Sequence, residues 1–309
     1  MFFSCYLVIY IVTCSGKLKV NEMKYIITGA TGHLGSHIFN DLIKLVPASS
    51  ITVGVHTVSK ADKLAQAGAE VIGIDFYNED TLIKAFQDKD VLIYVPSKSH
   101  DSYSRITELE NVLQAAKKAS VGHILAMGFI ADQVNNPFDL SAFYGYLPRR
   151  LAETEIPYTI IRNALYADPL VPYLPELIER KNVIYPMKDQ ALSFISLDDS
   201  SKAFAKVAAT ESLLKNGRIY TLTQSRNYTM PELAEVLSEV SGAEIGYQPV
   251  TLDEFAAIYN EGNEGHMLSS MYKAGGMGLL NTISSDYEEI MGHPATDLKK
   301  FLQTNYQNN

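Results

Sequence analysis

Three glycines at fixed spacing constrain this chain more than any other feature of its sequence. The segment TGATGHLG, residues 28–35, follows the apolar run YIIT. It opens a stretch in which Leu34, Ile38, Leu42 and Leu45 recur at helical spacing until Pro47. Strand, glycine turn and helix in that order give the motif its chemical meaning. Gly29 allows the tight turn, Gly32 lets the backbone approach a pyrophosphate, and Gly35 lets the helix pack closely on the strand. Backbone from Thr31 through His33 and Leu34 then aims its N–H groups at the phosphates, with the helix dipole behind them.

The rest of the chain supplies the scaffold such a loop needs. ITVGV (51–55), EVIGI (70–74), VLIYV (91–95), HILAM (123–127) and YTIIR (158–162) read as buried strands. Helical patterns lie between them, including LENVLQAAKKA at 109–119. Alternation of this kind implies right-handed βαβ units and a parallel sheet. The expected fold is α/β, a Rossmann-type doubly wound parallel sheet with a smaller C-terminal α/β region on the substrate side. Residues 23–165 form the NAD(P)-binding domain in this reading. Residues 166–309 lie mostly on the substrate side, with segments around 190–225 returning to the first domain. Pro169, Pro172, Pro175 and Pro186 predict an irregular stretch or short helices. Ser196 with Asp199, and Thr229 with Glu232, read as capping boxes, and Gly242 as a helix stop. RIYTLT (218–223) is another strand, and residues 262–278 read as a long connection or a mobile flap.

Composition removes several function classes. Lys and Arg number 26 against 35 Asp and Glu, a net charge of −9, so a phosphate backbone is repelled and no nucleic-acid partner is expected. The two cysteines, Cys5 and Cys14, lie in the apolar leader, so thiol chemistry and Cys-ligated metals are excluded for the body of the chain. Seven scattered histidines give no metal-ligand spacing. Within the leader of residues 1–22, the apolar stretch MFFSCYLVIYIVTCSG is too short for a membrane span, which needs ~20 apolar residues. Residues 1–22 read as an upstream, non-native start, with the body from Met23 cytoplasmic.

TGATGHLG resembles the TGxxGxxG of extended and atypical short-chain dehydrogenases/reductases. VPASSITVGV, VIGIDFYNEDTLIKAFQDKDVLIYV, VGHILAMGF, IPYTIIRNALYAD, ELAEVLSEVSG and GHPATDL extend the resemblance over nearly all of residues 24–303. Together they are similar to the NmrA-like group, and within it to type-2 NAD(P)H:quinone oxidoreductases and triphenylmethane reductases. A carboxylate at the end of the second strand would select NAD. His56 stands there instead, with no acid before Asp62. The related reductases carry Arg at this position and Lys four residues on; Lys60 matches the second. NADPH is therefore the expected cofactor, with NADH left open, and neither metal nor flavin is expected. Lys60 reads equally as a solvated lysine. The resemblance puts Asp75 beside the adenine, although a turn or cap residue is the equal alternative. It puts Val95, Pro96 and Ser97 along the nicotinamide ribose. Arg162, Asn163 and Tyr166 are candidates for the floor of the substrate pocket, with a structural ion pair as the alternative for Arg162.

The catalytic pattern of carbonyl-reducing relatives, Tyr-x-x-x-Lys, is missing from the region where it is expected, SAFYGYLPRRLAET. Four residues after Tyr144 stands Pro148, and four after Tyr146 stands Arg150. The hydroxyl position after the fifth strand reads Met127-Gly128-Phe129. By the resemblance, Arg149 replaces a Lys and Tyr144 a His. Arginine stays protonated, so Arg149 is expected to hold the cofactor rather than relay a proton. Sugar-nucleotide epimerisation and ordinary alcohol dehydrogenation are accordingly disfavoured. Quinone reduction asks mainly for proximity, with Phe129, Phe138, Phe143, Tyr144, Tyr146 and Tyr166 offering flat surfaces, about a third of them facing a pocket. The expected function is hydride transfer from NAD(P)H to a quinone-like aromatic. A non-catalytic dinucleotide sensor acting through a protein partner and a dye reductase are the alternatives. A homodimer is left open.

Overall fold

The computed structural model describes residues 23–306, and the reading of residues 1–22, with Cys5 and Cys14, lies outside them. The glycine loop is bracketed by β1 (Tyr25–Thr28) and α1 (His33–Leu42). Then follow β2 (Ile51–Val55), α2 (Asp62–Gln66), β3 (Glu70–Gly73), α3 (Glu79–Phe86), β4 (Val91–Tyr94) and α4 (Ser102–Lys118). The first half closes with β5 (His123–Phe129), α5 (Ser141–Glu153) and β6 (Tyr158–Asn163). The second half contains β7 (Leu165–Tyr166), α6 (Leu170–Arg180), β8 (Asn182–Val183), β9 (Ala191–Leu192), β10 (Phe194–Ile195) and α7 (Leu197–Ala208). After β11 (Arg218–Leu222) come β12 (Tyr228–Thr229), α8 (Met230–Ser241), β13 (Gly246–Tyr247) and α9 (Leu252–Ile258). Three more helices, α10 (Gly265–Gly275), α11 (Asp286–Met291) and α12 (Leu298–Asn305), complete the described residues.

Seven strands form one sheet in the order β11-β6-β5-β4-β1-β2-β3, all neighbours parallel. The order reverses between β1 and β4, which opens a crevice at their carboxyl ends. Thr28 fastens that crevice: its Oγ1 donates to the Val95 carbonyl at 2.9 Å and accepts the Val95 N–H at 2.9 Å. Tyr25, Ile26, Ile27 and Thr28 are all buried, as expected for a central strand covered on both faces.

α7 and β11 belong to this body. β11 extends the sheet past β6, and α7 packs against α1, where the buried Ser201 hydroxyl donates to Asp41 at 2.6 Å. The short strands of the second half form three two-stranded pairings, β10 with β7, β12 with β9 and β13 with β8. Two helices differ from the sequence reading, and a third carries an internal proline. α4 begins seven residues before the periodic stretch, because Asp101 caps it by accepting the Ser104 N–H at 2.7 Å. Pro148 lies inside α5, whose Phe143, Leu147 and Leu151 are buried and hold the helix through the missing backbone bond. Residues 265–275 are a helix, α10, packed on α9.

Candidate functional site

The glycine loop adopts the geometry its spacing asks for. Gly29 has φ +62°, a conformation open to glycine at little cost, and its carbonyl accepts the Gly32 N–H at 2.9 Å. Gly32 is the N-cap of α1, and no side chain caps that end. A Cβ on Gly32 would meet only the Gly29 carbonyl, at 3.2 Å, and otherwise project into the cleft. A Cβ on Gly35 would strike the Gly29 carbonyl and stand 2.9 Å from the Ala30 Cα. So Gly35 serves helix packing, and Gly32 keeps open the space in front of the helix.

A cleft of about 590 Å³ runs from this loop across the ends of β2, β3 and β4. It is lined by Gly29, Thr31, Gly32, His33, Leu34 and Gly35, by His56 and Lys60 after β2, by Asp75 after β3, and by Val95, Pro96 and Ser97 after β4. The structure therefore gathers into one groove the residues assigned to the cofactor by sequence, with the exception of Arg149. Lys60 has no carboxylate partner among the described residues, and His56 is exposed. Asp75 holds a turn as well as lining the cleft, accepting the Tyr77 N–H at 2.9 Å. Lys98 and Glu108 also line the cleft and were not singled out by sequence. The buried Glu108 carboxylate accepts from Ser97 at 2.5 Å and from Ser99 at 2.8 Å, fixing the loop after β4.

The groove continues into a second compartment of about 570 Å³. It shares His33, Leu34, Val95, Pro96 and Ser97 with the first and adds Arg105, Met127, Tyr144, Tyr166 and Asp168. Beyond it lies a third, apolar chamber of about 350 Å³, reached past Met127, Tyr144, Tyr166, Pro169 and Tyr173. Phe129 and Phe138 line this chamber from the sheet side, and Met267, Leu268, Met271 and Tyr272 of α10 cover it.

Arg105 is one of the residues that sequence reasoning missed. Its Nη1 donates to the Tyr144 hydroxyl at 3.0 Å, its Nε donates to the Ser99 carbonyl at 2.7 Å, and its guanidinium lies 5.9 Å from the centre of the Tyr144 ring. Its signal was slight. Arg105 stands in the polar first turns of α4, and only Asp101 as an N-cap residue could have moved the helix start far enough to include it. Asp168 was also missed. It accepts the Leu197 N–H at 2.8 Å, and burial pushes its carboxyl above the usual range.

Five residues expected at the site are elsewhere. Arg149 lies against Asp132, Gln133 and Asn136 on a separate surface, donating to the Gly145 carbonyl. It stands five residues after Tyr144, and five steps of a 3.6-residue helix turn its side chain well away from the Tyr144 face. Phe143 is fully buried behind Tyr144, ring centres 5.1 Å apart. Arg162 forms an ion pair with Asp132 at 2.9 Å and donates to Thr221, the structural alternative raised for it. Asn163 lies beneath the pocket floor: its Nδ2 donates to the Tyr166 hydroxyl at 3.1 Å while its Oδ1 accepts from Ser200 at 2.8 Å. Tyr146 points to α4 and donates to Glu110 at 2.8 Å. Phe129, Phe138, Tyr144 and Tyr166, four of the six aromatics proposed as flat surfaces, line the chamber, more than the expected third.

Among the described residues no cluster of His, Cys, Asp and Glu could hold a metal ion, and no helix is long and apolar enough to cross a membrane. Known proteins share the architecture. A Staphylococcus aureus protein described as a nucleoside-diphosphate-sugar epimerase superposes with a TM-score of 0.86 at 39% identity, covering 91% of this chain and 100% of that one. Triphenylmethane reductase of Citrobacter sp., solved with NADP(H), gives 0.84 at 29% identity over 92% and 100%. Quinone oxidoreductase 2 of Escherichia coli is 30% identical over 277 residues, 88% of this chain and 95% of its own length. Its structure with NADPH gives a TM-score of 0.83. Residues 22–303 match the NmrA-like family, and the chain belongs to that family.

Proposed function

We propose that this protein is an NADPH-dependent oxidoreductase that passes hydride to a quinone or quinone-like aromatic acceptor. The observation that carries the reading is an aromatic, apolar chamber opening directly off the compartment that adjoins the dinucleotide cleft. The cleft fits the cofactor on its own geometry. Gly29, Gly32 and Gly35 leave room for a pyrophosphate at an uncapped helix start. His56 and Lys60 stand where an extra ribose phosphate would lie, with no acid to repel it. Val95, Pro96 and Ser97 border the nicotinamide ribose in this reading.

When bound, the reduced nicotinamide supplies the hydride. The protein's part is to position the acceptor and exclude water. Phe129, Phe138, Tyr144 and Tyr166 hold a flat ring. The Tyr144 and Tyr166 hydroxyls each accept a hydrogen bond from inside the protein, from Arg105 and Asn163. The Tyr144 O–H is thereby left to donate to an acceptor oxygen, whereas the Tyr166 hydroxyl also lies against Ser200. Arg105 adds a fixed positive charge beside the oxygen on which negative charge develops. Solvent can then complete protonation of the product.

A nucleotide-sugar substrate is disfavoured. The chamber wall contains no Lys or Arg to meet a diphosphate, and neither tyrosine of α5 is followed four residues on by a lysine. The test is oxidation of NADPH by the purified protein with a panel of quinones and cationic triphenylmethane dyes. Turnover with quinones is expected. Turnover with dyes alone would replace the acceptor class, and tight NADPH binding with no turnover on any acceptor would favour the sensor.

A further inference from the structure

The two basic residues after β2 differ in kind. His56 follows the strand directly and is exposed, its Nδ1 3.4 Å from the Thr57 Oγ1. The Lys60 N–H donates to the Thr57 carbonyl at 3.1 Å, closing a turn, and both residues line the dinucleotide cleft. Neither has a carboxylate partner among the described residues. This corner of the cleft is thus furnished with two cations of different character. Lysine supplies its charge throughout the neutral range, and histidine supplies one only when protonated. The cleft holds other ionisable groups. His33 is the first residue of α1, at the glycine loop. Asp75 accepts the Tyr77 N–H, and Glu108 is taken up by Ser97 and Ser99. Lys98 and Tyr77 complete the set, while Asp62 and Lys63 of α2 lie outside it. A group that meets the adenine, the pyrophosphate or a ribose contributes to NADP+ and NAD+ alike. The ratio of the two affinities therefore isolates whatever faces the extra phosphate.

A phosphate monoester takes up its second proton near pH 6, close to where histidine takes up its own. Brought together, an imidazolium and a phosphate dianion stabilise each other. Binding above pH 7 then draws a proton from solvent onto the imidazole. We propose that His56 makes the choice between NADPH and NADH depend on pH. It binds the extra ribose phosphate most tightly as the imidazolium, so the preference for NADPH is greatest near neutrality and declines as the solution turns alkaline. This rests on the NADPH reading above. Lysine alone would give a different slope. It attracts the dianion more than the monoanion, so the preference would grow as pH rises through 6 and stay level beyond 7.

The test is calorimetric titration of the unmodified protein, His56→Gln and His56→Arg with NADP+ and with NAD+. It spans about pH 6.5 to 8.5, in two buffers of different ionisation enthalpy. In the unmodified protein the ratio of NADP+ to NAD+ affinity should fall roughly fivefold across that range, the order of one exposed ion pair. In the middle of the range, NADP+ should take up a fraction of a proton more than NAD+ does. His56→Gln should lower the ratio at the acid end and remove its decline. His56→Arg should hold the ratio high to the alkaline end, because arginine keeps its charge there. Failure of NADP+ to bind at any of these pH values would overturn the NADPH reading and this role with it. A ratio that favours NADP+ but stays level, or that declines equally in His56→Gln, would overturn the role of His56 alone and leave the NADPH reading standing.

Discussion

Gly32 and Gly35 stand one helical turn apart, and a side chain at each would meet different surroundings. Gly32→Val places its branches in the cleft and leaves the core untouched, so dinucleotide binding should disappear while the melting temperature stays near that of the parent. Gly35→Ala drives a methyl into the Gly29 carbonyl, so the melting temperature should fall by several degrees. Calorimetric titration and thermal melts on the two variants separate the roles. Lys60→Glu should weaken NADPH much more than NADH, since only the former carries the extra phosphate; equal weakening of both would remove Lys60 from that phosphate. In the NADPH-dependent turnover of quinones, Tyr144→Phe should lose about tenfold, the order of one hydrogen bond to developing charge. A loss of a hundredfold or more, the range of a true general acid, would show that Tyr144 supplies the proton itself. Arg149→Ala should leave the KM for NADPH unchanged, because its side chain lies on another surface.

At the scale of elements, chain-local signals were legible and polar or compositionally mixed segments were not. The capping box of α8 was readable because Thr229 and Glu232 bond reciprocally within one turn. Ser196 accepts the Asp199 N–H as expected, but the Asp199 carboxylate instead receives the Tyr287 hydroxyl and the Thr296 N–H, partners far along the chain. α10 was hidden by its glycines. Gly265 is required because a Cβ there would collide with the Ala256 carbonyl of α9, so the residue that weakens helical propensity is the one that lets the two helices touch. Gly265→Ala should therefore displace α10 from the chamber and lower kcat/KM for the acceptor at least tenfold. Affinity for NADPH should hold, because α10 contributes nothing to the dinucleotide cleft. Equal losses for acceptor and cofactor would show that α10 is coupled to the whole groove.

The molecule as a whole sets the pH response of its stability through a histidine remote from the site. His123, at the start of β5, is buried against the Thr159 hydroxyl at 2.9 Å, and desolvation lowers its pKa from 6.5 to about 4. Above pH 6.5 it is neutral in both folded and unfolded chains. As pH falls from 6.5 to about 4 the unfolded chain takes up the proton first, so stability is lost across that window. The full effect is at most about 3 kcal/mol, at 1.36 kcal/mol per unit. Urea unfolding of His123→Gln between pH 4 and 7 should show a shallower loss than the parent, and parallel curves would rule out this role. The amino-acid sequence by itself determined the strand–glycine–helix unit, the parallel order of the sheet's first half and the residues along the dinucleotide cleft. Each of these depends on neighbours a few residues away and on the regular geometry of βα units. The acceptor site could not be read that way. Arg105 meets Tyr144 across 39 positions, Tyr166 takes its orientation from Asn163 and so from Ser200, and α10 closes a chamber whose opposite wall is β5. Arg149 and Phe143 show the converse: adjacency in sequence to Tyr144 brought neither to the pocket, because helical rotation sends them to other faces. Which aromatic side chains face a cavity, and which hydroxyls are left with a proton to give, follows from long-range packing, and only the tertiary structure decided it.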